Sequence, residues 1–227
     1  MRKFSRKVLY EILRFKLSNE LLPDKSFWQN RSRNDVVNGL ENNSWVARKN
    51  LVDEILKELD TGRIIKVLEV GSGYGANLIA LSENSIGSNF TGIDVSQESI
   101  NVGRAYIEQL GISDIQLMLG EVCLLPFDDK SFDLVIVDAV FLYIEPRDFH
   151  KALHEIFRVS RNYIVLLEFH APGVGKGKKI RDGYLYDFDS TLREVSGIQF
   201  KIKKVPPNVR SAGRWQSFGH FCFIDLD

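Results

Sequence analysis

The stretch from residue 64 to residue 81 constrains the fold more than any other part of the 227-residue chain. An apolar run ends in Glu69 and leads directly into the glycine-rich segment Gly71 to Gly75, and residues 76–81 then have helix-compatible composition. This order predicts a buried strand, a tight turn and a helix. Glycine permits backbone angles that a Cβ forbids and lets the main chain approach a ligand, while the helix N-terminus offers free N–H groups.

Two classes of cofactor fit this turn. Gly71, Gly73 and Ala76 satisfy the dinucleotide-binding pattern, in which the third position is Gly or Ala. With Glu69 and Gly75, the same stretch also reads E-x-G-x-G-x-G, which resembles the first motif of class I S-adenosylmethionine-dependent methyltransferases. The turn alone therefore leaves both an oxidoreductase and a methyltransferase open.

Later segments favour the methyltransferase. Residues 89–93 predict a second strand ending in Asp94, an acid about 20 residues beyond the turn that suits a ribose diol in either class. Residues 115–119 predict a third strand, which is followed by Gly120, Glu121 and then the run LPFDDKSFDLVIV at 125–137. This succession is similar to the later motifs of the methyltransferase family, so the resemblance extends from residue 67 to residue 138.

The resemblance implies S-adenosylmethionine as cofactor and gives each part of it a binding region. The glycine turn would enclose the amino-acid half, Asp94 would hold the ribose, and the segment after the third strand would face the adenine. Glu at position 121 departs from the Asp that is commoner in the family. The residues assigned to the cofactor are Glu69, Gly71, Ser72, Gly73, Gly75, Asp94, Val95, Glu121, Val122 and Asp138.

Alternating strands and helices predict an α/β fold with a doubly wound, Rossmann-like sheet of seven mostly parallel strands. Residues 163–168 would form the fifth strand, and the family resemblance implies a final antiparallel hairpin, 200–205 with 218–226, at the sheet edge. Residues 1–60 are interpreted as a helical extension. Residues 61–227 would form the cofactor-binding domain, with acceptor-side insertions at 170–190 and 205–217.

The carboxyl ends of parallel strands meet at one edge, where open α/β sheets bind ligands. Asp94, Glu121, Asp138 and Glu168 all fall at such ends. The sulfonium of the cofactor already activates the methyl group, so a hydroxyl acceptor needs only a base that removes its proton. His170, just past the fifth strand, is the candidate general base, and Asp138 is the second catalytic candidate. We therefore expect O-methylation of a small molecule.

Two cationic segments suggest an anionic acceptor. Residues 173–181 form a basic, glycine-rich loop after the fifth strand, and Arg210 and Arg214 lie in a second basic loop with Trp215. The sequence around 182–187 and 215–219 is also loosely similar to methyltransferases of sugar and surface-polysaccharide pathways. A sugar or polysaccharide precursor is therefore one acceptor to consider.

The N-terminal segment has two interpretations. Residues 1–20 predict a basic amphipathic helix, which could pack as a lid on the sheet or lie on an anionic membrane surface. Residues 27–31 predict a loop that is rich in aromatic and polar side chains, and Trp28 and Arg31 are its candidates for contact with cofactor and substrate.

Composition narrows the remaining possibilities. Formal net charge is 0, which argues against general nucleic-acid binding, and neither Cys123 nor Cys222 stands in a metal-ligand pattern. No long apolar run predicts a membrane span, and we expect a cytoplasmic monomer or homodimer without a metal. The alternatives that stay open are an NAD-dependent oxidoreductase and a non-catalytic S-adenosylmethionine-binding protein.

Overall fold

The computed structural model describes residues 25–41, 45–84, 86–175, 177–181, 183–210 and 213–226. The predicted basic helix at 1–20 lies outside these ranges, as do Lys176 and Asp182 of the acceptor-side insertion. Within the described part of the chain, no helix is long and apolar enough to cross a membrane.

Within the described ranges, three helices precede the sheet, and strands and helices then alternate. The helices are α1 (Lys25–Gln29), α2 (Arg33–Glu41), α3 (Trp45–Glu58), α4 (Ala76–Glu83), α5 (Gln97–Gln109), α6 (Pro146–Val159), α7 (Phe188–Arg193) and α8 (Trp215–Phe218). The strands are β1 (Lys66–Val70), β2 (Asn89–Asp94), β3 (Ile115–Leu119), β4 (Phe132–Asp138), β5 (Ser160–Phe169), β6 (Lys178–Ile180), β7 (Gly183–Leu185), β8 (Gln199–Lys204) and β9 (Gly219–Asp225).

The predicted sheet is confirmed. Seven of the described strands form one sheet in the order β3-β2-β1-β4-β5-β9-β8. The first five are parallel, and β9 runs antiparallel between β5 and β8. The central strand β4 is buried along its whole length, as expected of a strand that helices cover on both faces.

The capping residues in the sequence predicted both ends of helix α5 correctly. The Ser96 hydroxyl accepts a hydrogen bond from the Ser99 N–H at 3.2 Å and caps α5. Gly111 follows that helix with φ +70°, a conformation that glycine adopts without strain. Helix α6 buries Phe149, Leu153 and Ile156 on one face against the sheet, which accounts for its spacing in the sequence.

Two local predictions were wrong. Residues 27–31 were expected to form a loop, but α1 spans Lys25–Gln29 because the Asn30 N–H completes a helical turn on the Ser26 carbonyl at 3.0 Å. Residues 173–181 were expected to form a loop, but Lys178–Ile180 forms strand β6, which pairs antiparallel with β7. His170 also bridges to Tyr186, which ties the insertion at 170–190 to the end of β5.

Candidate active site

The glycine turn holds its shape through backbone contacts with β2. The Gly71 and Ser72 N–H groups both donate to the Ile93 carbonyl, at 2.7 and 3.1 Å. Gly71 has φ +75°, and a Cβ there would lie 2.2 Å from Cγ2 of Val140. The turn therefore requires glycine at this position for its conformation and for its close approach to the segment after β4.

Asp94 closes the other side of the turn. Its Oδ2 accepts from the Gly73 N–H and its Oδ1 from the Ser96 N–H, both at 2.8 Å. Burial raises the pKa of this carboxyl group despite those donors. Asp94 thus joins the glycine turn to the start of α5, and it lines the same cavity as the turn.

A polar network forms the floor of that cavity at the ends of β1 and β4. The Asn77 amide donates to Oε1 of Glu69 at 2.6 Å and to Oδ2 of Asp138 at 3.1 Å. Arg48, from α3, donates to the Asn77 carbonyl oxygen at 2.8 Å and to Oδ2 of Asp138 at 3.2 Å. Arg210, from the loop after β8, contacts both Asp138 carboxylate oxygens at 2.7 Å.

The pKa values of the two acids in this floor, Glu69 and Asp138, are shifted in opposite directions. Burial raises the pKa of Glu69 to about 8, and its Oε2 has no hydrogen-bond partner. Burial also disfavours ionisation of Asp138, but Arg210 and Arg48 outweigh it, so the pKa of Asp138 falls below its ordinary value. Asp138 is therefore a carboxylate held by cations, and Glu69 is a carboxyl group that retains its proton more readily.

Glu168, at the end of β5, holds the turn that follows β4. Its Oε1 accepts from the N–H groups of Val140 and Phe141 at 2.7 and 3.0 Å, and its Oε2 accepts from Leu142 at 3.3 Å. The side chain is fully buried, and burial raises its pKa to about 8. Glu168 therefore acts on the cavity indirectly, by placing the wall that Val140 contributes.

The far end of the cavity lies beyond β3 and is covered by α1. Glu121 and Val122 line it, and Lys25 of α1 makes an ion pair with Glu121. Trp28 packs on Tyr143 with ring centroids 4.9 Å apart, and its buried indole N–H has no partner. Arg31 stacks over Trp28 at 5.6 Å. The N-terminal segment thus supplies one wall of the cavity.

The structure brings most of the predicted site together around one cavity of about 680 Å³. Nine of the ten residues assigned to the cofactor line it; they are Glu69, Gly71, Ser72, Gly73, Asp94, Val95, Glu121, Val122 and Asp138. Gly75 is outside that lining, because its Cα faces Leu117 and Ile107 below the turn. Trp28 and Arg31 also line the cavity.

His170 is not among the residues that line the cavity. It is 5% exposed, its Nδ1 accepts from the Phe188 N–H at 3.1 Å, and its ring packs against His220 with centroids 5.0 Å apart. His170 does follow β5, as the sequence predicted. Its side chain, however, points to the insertion at 170–190 and binds the start of α7. This placement removes the geometric basis for His170 as general base.

Asp138 lines the cavity but is a poor base, because Arg48, Asn77 and Arg210 occupy its two oxygens. Neither Arg48 nor Asn77 was predicted from the sequence as a site residue. A signal existed for Arg48, which lies one helical turn before the buried Leu51 and Val52 and so places a cation on the apolar face of α3.

Comparison with known proteins identifies the family. A family model described as a methyltransferase domain matches residues 67–162, which include the glycine turn, Asp94, Glu121 and Asp138. The chain belongs to the class I S-adenosylmethionine-dependent methyltransferases. It is an enzyme of that family, and S-adenosylmethionine is its cofactor.

Individual relatives of this methyltransferase are distant. It is 25% identical over 178 residues to a demethylmenaquinone methyltransferase of Listeria monocytogenes, which covers 73% of the chain and 74% of that protein. The solved structure of an S-adenosylmethionine-dependent methyltransferase from Aquifex aeolicus matches with a TM-score of 0.61 and 21% identity, covering 87% of this chain and 100% of that one. A cyclase, SpnF, shares the fold at a TM-score of 0.63 and 16% identity, covering 78% and 80% of the two chains.

The cavity fits the cofactor of the family. Two residues of its lining, Glu69 and Ser72, each carry a buried side-chain oxygen without a hydrogen-bond partner, as expected of groups that await a polar ligand. A Cβ at Gly71 would collide with Val140 of the cavity wall, and a volume of about 680 Å³ is ample for a small ligand.

Proposed function

We propose that the protein transfers the methyl group of S-adenosylmethionine to an oxygen of a small-molecule acceptor. The observation that carries this proposal is the single cavity that runs from the glycine turn past Asp138 to Trp28 and Tyr143. Such a cavity would hold a cofactor and an acceptor side by side, which is the main requirement of an in-line transfer.

Each wall of the cavity has a proposed task. The methionine half of the cofactor would lie on the glycine turn with its amino group near Glu69 and its carboxylate near Arg48. Asp94 would accept from the ribose hydroxyls, and Glu121, released from Lys25, would accept from the adenine amino group. The bound cofactor supplies a methyl group on a sulfonium. The chain aligns the acceptor, and the cover formed by α1 excludes water.

The acceptor region lies between the turn after β4 and α1. Val140 and Tyr143 would form one side and Trp28 the other, with the unpartnered indole N–H of Trp28 available to an acceptor oxygen. Arg210 reaches the same region from the loop after β8. Of the two basic loops noted in the sequence, only the second contributes a described residue to the cavity lining.

A second acceptor is favoured by the similarity to demethylmenaquinone methyltransferases. The aromatic pair of Trp28 and Tyr143 would suit a flat ring, since stacked and edge-on aromatic contacts stabilise such ligands. The sugar acceptor that the sequence suggested has weaker support, because Tyr184 lies in β7 and Asp187 caps α7 by accepting from Ser190.

An assay for S-adenosylhomocysteine release tests the proposal. Purified protein would be incubated with S-adenosylmethionine and three acceptor classes: sugar acids, aromatic acids and a short-chain demethylmenaquinol. Release that depends on the acceptor, with methyl label recovered in the product, supports transfer to a small molecule. Tight cofactor binding without release of S-adenosylhomocysteine for any acceptor would mean that the chain binds S-adenosylmethionine without using it. Methyl label on a carbon atom of the product would favour the quinol acceptor.

A further inference from the structure

We propose that the acceptor oxygen of this enzyme is a carboxylate, held by Arg210, so that the product is a methyl ester. This inference rests on the proposed function and deepens it, because it names the chemical class of the acceptor. It comes from two features of the cavity: the state of its acids and the placement of Arg210.

The cavity lacks a free base among the described residues. Its lining includes no histidine in the described part of the chain. Asp138 is engaged by Arg210, Glu121 by Lys25, and Asp94 by backbone N–H groups. Glu69 accepts from Asn77 through Oε1 only, but burial raises its pKa to about 8, so it is mainly protonated at neutral pH.

Glu145 and Asp148, at the rim, both face Arg147, at 3.1 and 3.4 Å. Burial raises the pKa of the Cys123 thiol, which keeps it protonated. A hydroxyl acceptor would need a base to remove its proton, whereas a carboxylate acceptor is already a nucleophile.

Arg210 offers hydrogen-bond donors at the right place. Only its Nη2 contacts Asp138, and its Nη1 and Nε have no protein partner among the described residues. The guanidinium stacks on Trp215 at 4.9 Å, which fixes its plane. A carboxylate can accept a charge-assisted N–H···O bond from either of these two nitrogens.

The local charge also favours an anion. Arg48 and Arg210 together carry two positive charges, and Asp138 carries one negative charge, so the cluster is positive by one. Glu69, with its raised pKa, adds little negative charge at neutral pH. The sulfonium of a bound cofactor adds a further positive charge beside the same floor. An acceptor carboxylate would be attracted to this point and would be partly desolvated there.

The reaction balances without a proton acceptor. A lone pair of the carboxylate oxygen forms the new bond to the methyl carbon, and the carbon–sulfur bond breaks with its electron pair going to sulfur. The products are a methyl ester and S-adenosylhomocysteine, and no proton is released. The role of Arg210 is therefore to hold the attacking oxygen, not to take part in proton transfer.

The first test is the alkali stability of the product. The enzyme would be given methyl-tritiated S-adenosylmethionine and a low-molecular-mass metabolite extract, and the labelled products would be treated with mild alkali. Methyl esters release volatile tritiated methanol, whereas methyl ethers and C-methyl products do not. Alkali-labile label supports the inference. Alkali-stable label contradicts it and leaves methyl transfer itself intact, so the two proposals fail separately.

The second test measures binding and needs no turnover. Benzoate and its neutral isostere benzamide would be titrated into the protein saturated with S-adenosylhomocysteine. Benzoate should bind at least about tenfold more tightly, and Arg210→Gln should remove that preference, because a charge-assisted hydrogen bond contributes about 1.5–3 kcal/mol. Equal binding of the two probes, or no binding of benzoate, overturns the inference.

Controls separate recognition from folding. Arg210→Lys keeps a charge beside Asp138 but loses the Nη1 and Nε donors, so the variant should fold normally and still lose most of the benzoate preference. Arg193→Gln removes an exposed arginine that pairs with Asp189 on α7, away from the cavity, and should leave the preference unchanged. A preference that survives in Arg210→Lys would show that charge alone is recognised, which contradicts a hydrogen bond from the guanidinium to the carboxylate.

Discussion

Replacing Glu168 tests how the strand that precedes the insertion supports the cofactor pocket. Glu168→Ala removes the acceptors of three backbone N–H groups, those of Val140, Phe141 and Leu142. A buried donor left without a partner costs about 1–3 kcal/mol, so the loss of three acceptors should lower the free energy of unfolding by about 3–9 kcal/mol. Glu168→Gln keeps the two shorter bonds and should lose only about 1–2 kcal/mol.

The pH dependence provides an independent measure of the same group. Burial raises the pKa of Glu168 to about 8 in the folded protein from its ordinary value of 4.5. An acid whose pKa is higher in the folded than in the unfolded state stabilises the fold most at pH values below its pKa in the unfolded state. This contribution is lost as the pH rises through its pKa in the folded state. The loss from this one group is on the order of 5 kcal/mol between those limits.

Glutamine resembles the protonated acid and does not titrate. Urea denaturation at pH 5 and pH 9 should therefore show Glu168→Gln less stable than the wild type at pH 5, with the gap narrowing or reversing at pH 9. S-adenosylmethionine affinity should fall in Glu168→Ala, since Val140 packs against Gly71. A stability gap that stays constant between the two pH values, or a loss below about 1 kcal/mol in Glu168→Ala, would refute this account of the buried carboxylate.

Three further changes address the cofactor pocket and its cover. Asp94→Ala should raise the Kd for S-adenosylmethionine more than about tenfold, since it loses the proposed ribose contact and leaves the Gly73 N–H without its acceptor. Calorimetry that shows an unchanged Kd would contradict the ribose role of Asp94. Gly71→Ala should abolish cofactor binding, because its Cβ would lie 2.2 Å from Val140. Gly111→Ala is the control: Gly111 has φ +70° but open space around it, so the variant should lose only about 1 kcal/mol of stability in denaturation and should bind the cofactor normally. Trp28→Phe keeps an aromatic ring but deletes the unpartnered indole N–H. The KM for the acceptor should therefore rise, while the cofactor Kd stays constant in the same calorimetric assay.

The sequence predicted the part of the site that depends on local backbone chemistry. The glycine turn, the acid after β2 and the acid after β3 each follow a strand, and the parallel topology must bring such positions to one edge. Nine of the ten cofactor assignments consequently line the cavity. Gly75 shows the limit of this reasoning, because its motif position serves the packing of the turn on Leu117.

The side-chain pairings could not be read from the sequence. His170 follows β5 as expected, but the bridge to Tyr186 turns its ring into the insertion. Arg48 and Arg210 are 162 positions apart in the sequence, and only the packing of α3 and of the loop after β8 brings both to Asp138. Long-range ion pairs of this kind leave no periodic pattern, so the loss of Asp138 as a base could not be foreseen.

The measurement that tests the central claim most directly is a calorimetric titration of the purified protein with S-adenosylmethionine, S-adenosylhomocysteine and NAD in parallel. The geometry of the glycine turn, Asp94 and the unpartnered Glu69 oxygen predicts saturable one-to-one binding of the first two ligands and none of NAD. Binding of NAD without either sulfur ligand would contradict the account, because the same cavity would then serve hydride transfer.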